Sequence, residues 1–150
     1  MRSLDRPVFA NLGDTVAVVP RYRARTIAGT VVVGRRLGRL LGAPTANIRL
    51  PLDAGIEHGS FAVEADALGR TYRGCAHVGS CPSVGGTTVG LEVHLFGFDG
   101  DLYGERLTVR FFEKVSEERQ LDSLAMLKAK IARDLTACAA YFRRRDDRSS

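Results

Sequence analysis

Tryptophan is absent from this chain of 150 residues, and aromatic residues make up only 7% of it. Sparse aromatics count against a barrel that stacks single-stranded bases on exposed rings beside a basic groove. Phe61, Phe111 and Phe142 also fall on apolar faces, so no nucleic-acid partner is expected. Cysteine is scarce. Cys75, Cys81 and Cys138 form an odd set without a Cys-x-x-Cys spacing, which argues against a disulfide framework or a zinc site. His77 lies between two of them and reads as an ordinary strand residue. No run approaches the roughly 20 apolar residues that a membrane span needs. Met1–Pro7 carries charge with no apolar stretch behind it, so neither a signal peptide nor a membrane partner is expected. The expected compartment is the cytoplasm.

What is present fits one folded domain. Apolar residues make up 45% and charged residues 26% of the chain. A chain of this length buries roughly 70% of its unfolded surface and needs no staple. The net charge is +5, with lysine only at Lys114, Lys128 and Lys130 and arginine supplying the rest. Guanidinium forks match phosphate oxygens, so a small anionic partner suits this charge.

The first 26 residues are weakly patterned. Thr15–Val19 has strand character, while Arg21–Arg25 suits a linker or an edge. Ile27–Val33 is rich in β-branched residues and reads as a buried strand. Period-2 alternation recurs at Phe61–Ala67, Val89–Leu95 and Leu107–Phe111. Gly69-Arg70 signals a hairpin back into Tyr72–Val78, and Asp99-Gly100 predicts a turn joining two strands. Leu121, Leu124, Leu127, Ile131, Leu135, Cys138 and Phe142 step by three and four, which predicts one helix face with Asp122 as its N-cap. The last residues, 143–150, read as a frayed polar tail. Short strands without helices between them predict a mainly β fold, an antiparallel sheet or small barrel with one long C-terminal helix.

Three features carry candidate chemistry. Gly34, Gly38 and Gly42 interleave with Arg35, Arg36 and Arg39, a composition that suits a phosphate cradle or a surface loop. It lacks the Gly-Lys-Ser/Thr of a P-loop. In Pro44-Thr-Ala-Asn47, Thr45 and Asn47 point the same way if extended and offer oxygen donors to a hard cation such as Mg²⁺; a turn is the alternative. Glu92 sits on the polar side of an amphipathic strand, where a carboxylate can take a proton from a hydroxyl or face solvent.

In this order the features resemble the riboflavin kinase family. The matching stretches are Gly29-Thr-Val31, Gly38-Arg-Leu-Leu-Gly42, Pro44-Thr-Ala-Asn47 and Leu91-Glu-Val-His-Leu-Phe-Gly-Phe-Asp-Gly-Asp-Leu-Tyr-Gly104, followed by the Leu121–Leu135 helix. The likeness covers residues 27–142; residues 1–26 form an extension without an assigned role. It implies a six-stranded antiparallel Greek-key β-barrel with a C-terminal α-helix, and transfer of the γ-phosphoryl group of ATP to the 5′-hydroxyl of riboflavin. It implies that Gly34, Arg35, Gly38, Arg39 and Gly42 hold the nucleotide phosphates and that Thr45 and Asn47 sit at the phosphates and Mg²⁺. Glu92 would be the catalytic base, and Ser116, Glu118, Arg119 and Leu121 would border the flavin. The chain departs from the family at Ala43, where phenylalanine is usual, at Cys81-Pro-Ser83, and at Ser116 and Leu121, where arginine and phenylalanine are usual. Those changes keep open a non-catalytic flavin- or nucleotide-binding module, or a kinase for a modified flavin. No counterpart of the adenylyltransferase half of bifunctional FAD synthetases precedes Ile27, so FAD synthesis is not expected.

Overall fold

The computed structural model describes residues 8–12, 14–20, 25–34, 42–51, 54–83 and 86–149. Arg35, Gly38 and Arg39 of the glycine-rich segment lie outside the described residues. The strands in chain order are β1 (Val8–Leu12), β2 (Asp14–Pro20), β3 (Arg25–Thr30), β4 (Ala46–Leu50), β5 (Gly59–Ala67), β6 (Arg70–Ser83), β7 (Gly86–Leu95) and β8 (Arg106–Ser116), followed by helix α1 (Leu124–Ser149).

The strands form one sheet in the order β1-β2-β3-β8-β5-β6-β7-β4, with every paired neighbour antiparallel. Six of them, β3 to β8, curl into a nearly closed barrel. The seam is stitched where Val32, just past β3, bridges Asn47 of β4. Consecutive strands β5, β6 and β7 pair in series while β8 returns to lie beside β5, which is the Greek-key order. The β1–β2 hairpin extends the sheet from β3, pairing Ala17 with Ala28 and Val18 with Ile27. Thr15–Val19 is thus a strand as its composition suggests.

Alternation explains the core. Ile27, Ile48, Val63, Val78, Leu91, Val93, Leu107 and Val109 point inward and are fully buried. Phe61 and Phe111 meet edge to face inside, with ring centroids 5.3 Å apart. The opposite face of the same strands is covered by α1. There Ala62, Cys75, Cys138 and Phe142 form a second, smaller cluster.

Asp99-Gly100 lies in a connection that joins two strands, as expected, although β7 and β8 are not neighbours: residues 96–105 carry the chain across to the other edge of β5. Two local expectations change at the helix. The helix is capped by Ser123 rather than Asp122, with Ser123 Oγ accepting the Met126 N–H at 3.1 Å. Asp122 is one residue too early to reach that donor. The helix also runs on to Ser149. Its last turns are held by a bidentate Arg73–Asp146 pair and by Arg145 stacked over Phe112, so charge at a helix end did not mean fraying.

Candidate active site

The row of residues that face α1 is set by strand register. Asn47 of β4 lies opposite Glu92 of β7, Glu92 opposite His77 of β6, His77 opposite Ser60 of β5, and Ser60 opposite Ser116 of β8. Five polar side chains therefore cross five adjacent strands at one level. Neighbouring strands lie about 4.8 Å apart, so the row has a nearly fixed pitch.

At one end stand Thr45, Asn47 and Glu92. Thr45 Oγ1 donates to Glu92 Oε1 at 3.5 Å, a long contact. Asn47 Nδ2 donates to the Thr45 carbonyl at 3.3 Å, which turns its side-chain oxygen away from that bond. Gly34 lies directly over this amide: a Cβ there would fall 2.2–2.5 Å from its atoms, so only glycine leaves Asn47 its place. The Val32 N–H donates to the Asn47 carbonyl at 2.8 Å, which pins the start of the glycine-rich segment onto β4. Gly42 ends that segment in a turn at φ 80°. His94 sits two residues beyond Glu92 on the same face, its Nδ1 2.9 Å from the Pro44 carbonyl. Thr45, Asn47, Glu92 and Gly34 are thus brought together at one end of the row.

A cavity of about 550 Å³ opens between this row and α1. Thr45, Glu92, His77, Ser60, Glu118 and Arg119 line the barrel side; Leu127, Ile131 and Leu135 form an apolar wall opposite. Its size suits a small-molecule ligand. Thr45 also borders a recess of about 90 Å³ built with Phe98 and Tyr103. Of the flavin-side residues expected from sequence, Glu118 and Arg119 line the cavity. Ser116 lies behind its wall, bonded to Lys130, and Leu121 is not part of the lining.

Glu118 is held firmly. Its Oε1 lies 2.9 Å from His58 Nδ1, and its Oε2 accepts the Ser80 N–H at 3.0 Å. Burial works against the charged carboxylate, but these contacts outweigh it and hold the Glu118 pKa below its ordinary value.

Sequence reasoning missed a buried network beside Glu92. Lys130 and Asp134 of α1 are only 7% and 8% exposed and pair at 2.6 Å. Lys130 Nζ also donates to Ser116 Oγ at 3.0 Å, Ser60 Oγ donates to Asp134 at 2.8 Å, and His77 Nδ1 lies 3.3 Å from Ser60 Oγ. His77 is therefore a cavity-wall residue, not an ordinary strand position. Burial lowers its pKa and, with help from Lys130, outweighs the opposing pull of Glu92, Glu118 and Asp134, so the neutral imidazole is favoured. One signal was available: Lys130 and Asp134 recur four apart in line with Cys138 and Phe142, which marks the buried helix row. By contrast Leu124, expected on that face, is 64% exposed.

The sequence profile of the family described as Flavokinase: Riboflavin kinase matches residues 22–142. This chain belongs to the riboflavin kinase family. Family activity is the ATP-dependent phosphorylation of riboflavin to FMN. The chain is 44% identical over 115 residues to a bifunctional riboflavin kinase/FMN adenylyltransferase of Pseudomonas fluorescens, covering 76% of this chain and 37% of that protein. It is 39% identical over 117 residues to the RNA-binding riboflavin kinase RibR of Bacillus subtilis, covering 77% of this chain and 50% of that one. The chain thus spans between about a third and a half of these relatives. Among solved structures, a crystal structure described as a macrolide-efflux protein from Streptococcus pneumoniae aligns with a TM-score of 0.63 and 31% identity, over 73% of this chain and 36% of that one. No helix among the described residues is long and apolar enough to cross a membrane.

Proposed function

We propose that this chain transfers the γ-phosphoryl group of ATP to the 5′-hydroxyl of riboflavin, giving FMN and ADP, with Glu92 as the catalytic base. The observation that carries the reading is the placement of Glu92 opposite Asn47 and beside Thr45 in the wall of the 550 Å³ cavity. Phosphoryl transfer asks the protein chiefly for positioning and charge stabilisation. The ring system of the flavin lies against Leu127, Ile131 and Leu135, which exclude water from its faces. Its ribityl chain then leads along the polar row toward Glu92. The Glu92 carboxylate accepts the 5′-hydroxyl hydrogen bond and takes the proton as the oxygen–phosphorus bond forms and the bond to ADP breaks.

Thr45 and Asn47 fit a magnesium site. Both offer oxygen donors, and the space that a Cβ at Gly34 would fill is what leaves the Asn47 amide in place. Among the described residues no group of three or more His, Cys, Asp and Glu side chains gathers as a metal site. That suits Mg²⁺, which is bound through one or two protein groups together with phosphates and water. Bound there, Mg²⁺ would neutralise phosphate charge. Gly34 and Gly42 flank the segment that we assign to the nucleotide phosphates, with Arg35, Gly38 and Arg39 between them. The deciding assay mixes the protein with riboflavin, ATP and Mg²⁺ and follows FMN by chromatography. Stoichiometric FMN and ADP are expected; folded protein that makes no FMN across varied nucleotide and metal ends the proposal.

A further inference from the structure

The hydrogen-bond polarity of the cavity wall follows from proton counting along the missed network. Ser60 has one hydroxyl proton, and it goes to Asp134, which is paired with Lys130 and only accepts. The Ser60 oxygen must then receive the His77 Nδ1–H at 3.3 Å. A neutral imidazole with its proton on Nδ1 presents Nε2 as an acceptor. The two atoms nearest the position of a Cβ on Gly79 are Glu118 Oε2 at 2.4 Å and His77 Nε2 at 2.8 Å. Only glycine at this position lets the two acceptors lie where they do, close to one point and so close to each other. Glu118 Oε2 already receives the Ser80 N–H but keeps a second lone pair. Two acceptors side by side call for a partner with two adjacent donors. A vicinal diol is such a group, since each of its hydroxyls offers one O–H.

His77 is the cross-strand neighbour of Glu92, one strand spacing away. A chain of carbons whose terminal hydroxyl is at Glu92 passes His77 next. Resting on the kinase reading above, we propose that His77 Nε2 and Glu118 Oε2 accept hydrogen bonds from the two ribityl hydroxyls next to the reacting one, the 4′ and 3′ hydroxyls. The Lys130–Asp134–Ser60 relay acts as a positioning device that fixes the His77 tautomer. The pair makes the site selective for a polyhydroxylated side chain, not only for the ring.

The test compares kcat/KM for riboflavin with that for 3′,4′-dideoxyriboflavin, which keeps the 5′-hydroxyl. Loss of a hydrogen bond to a buried site is worth about 10- to 100-fold, so the wild-type chain should disfavour the dideoxy compound by at least that factor. In His77→Leu the rate on riboflavin should fall, and the discrimination should shrink by about tenfold or more. His77→Gln, which retains an acceptor, should recover part of it. A merely structural role for His77 would lower both substrates equally. Equal wild-type use of the two compounds overturns the inference while leaving the kinase reading intact, as does full discrimination persisting in a folded His77→Leu protein. Failure of the wild-type chain to bind or phosphorylate riboflavin at all overturns both.

Discussion

The two halves of helix α1 rest on the same barrel face but meet it differently. The C-terminal half packs directly on the barrel, with an open groove of about 520 Å³ between Ala139, Arg143 and Tyr72 along one side. Cys138 and Phe142 are buried against Ala62 and Cys75, and Phe112, Tyr141 and Phe142 pack as a ring cluster with centroids 5.1–6.2 Å apart. Its rim is tied by Arg73–Asp146 and by Arg145, which reaches Glu64, while Arg110 joins Glu64 and Asp66 on the barrel beside it. Cys75 packs in the same cluster as Cys138, and that neighbour together with burial raises the Cys138 pKa, so it stays a protonated, unreactive filler. The N-terminal half stands off the barrel, leaves the 550 Å³ cavity, and meets the sheet through the Lys130–Asp134 pair. Apolar contact supplies adhesion without direction. A buried ion pair stabilises little overall but dictates which donors and acceptors its neighbours present. One half anchors the helix, and the other shapes the cavity.

That division can be broken from either side. The largest effect is expected from Glu92→Gln, which should lower kcat about 10²- to 10⁴-fold while thermal unfolding and nucleotide binding stay close to wild type. Steady-state kinetics beside calorimetry would check it, and full activity would remove Glu92 from its role. Phe142→Ala acts on the apolar half. It should cost about 3 kcal/mol in urea unfolding, with kcat per folded molecule little changed, because it leaves a cavity remote from the chemistry.

Lys130→Met probes the joint between the halves. Leaving Asp134 buried and unpaired should cost about 3 kcal/mol, and adding Asp134→Leu should recover most of that loss. The double variant should regain stability without regaining the wild-type kcat/KM on riboflavin. Recovery of both would mean that the pair does nothing for the site.

The smallest effect is expected at the rim. The Arg110 guanidinium, helped by the Thr71 hydroxyl, holds the Asp66 carboxyl down to about 2, against 3.8 ordinarily. A carboxylate whose folded pKa is depressed adds stability that is complete above 3.8 and is lost as pH falls toward 2. Asp66 is about half exposed, so solvent screening limits the contribution to about 1 kcal/mol. Asp66→Asn should flatten the acid limb of the stability profile by that amount, and an unchanged limb would show the pair to be idle.

Much of this was legible from residue order alone. Alternation along Phe61–Ala67, Val89–Leu95 and Leu107–Phe111 marked strands, because a one-sided core imposes period 2 on whatever lies above it. The step of three and four through Ile131, Leu135, Cys138 and Phe142 marked a helix for the equivalent reason. Pro44–Asn47 and the Glu92 strand drew attention to Thr45 and Glu92, which the fold brings to one cavity wall. The limits share a cause as well. Asp99-Gly100 marked a turn between two strands but not their pairing, because turn residues report a local bend, not which strand comes next. Leu124 was assigned to the buried face because hydrophobicity reports preference, not what lies opposite.

Local composition thus settled the elements, the motif positions and the family likeness, since each depends on residues close together in the chain. Register and docking settled everything else. Asn47 faces Glu92, and Glu92 faces His77, because only that alignment buries Ile48, Leu91, Ala76 and Val78 together on the inner side. Slipping any strand by one residue would turn its part of the polar row into the core. The Lys130–Asp134 pair, the tautomer of His77 and the cavity itself exist only once α1 lies across that row, and no short-range pattern in the chain encodes where a helix lands.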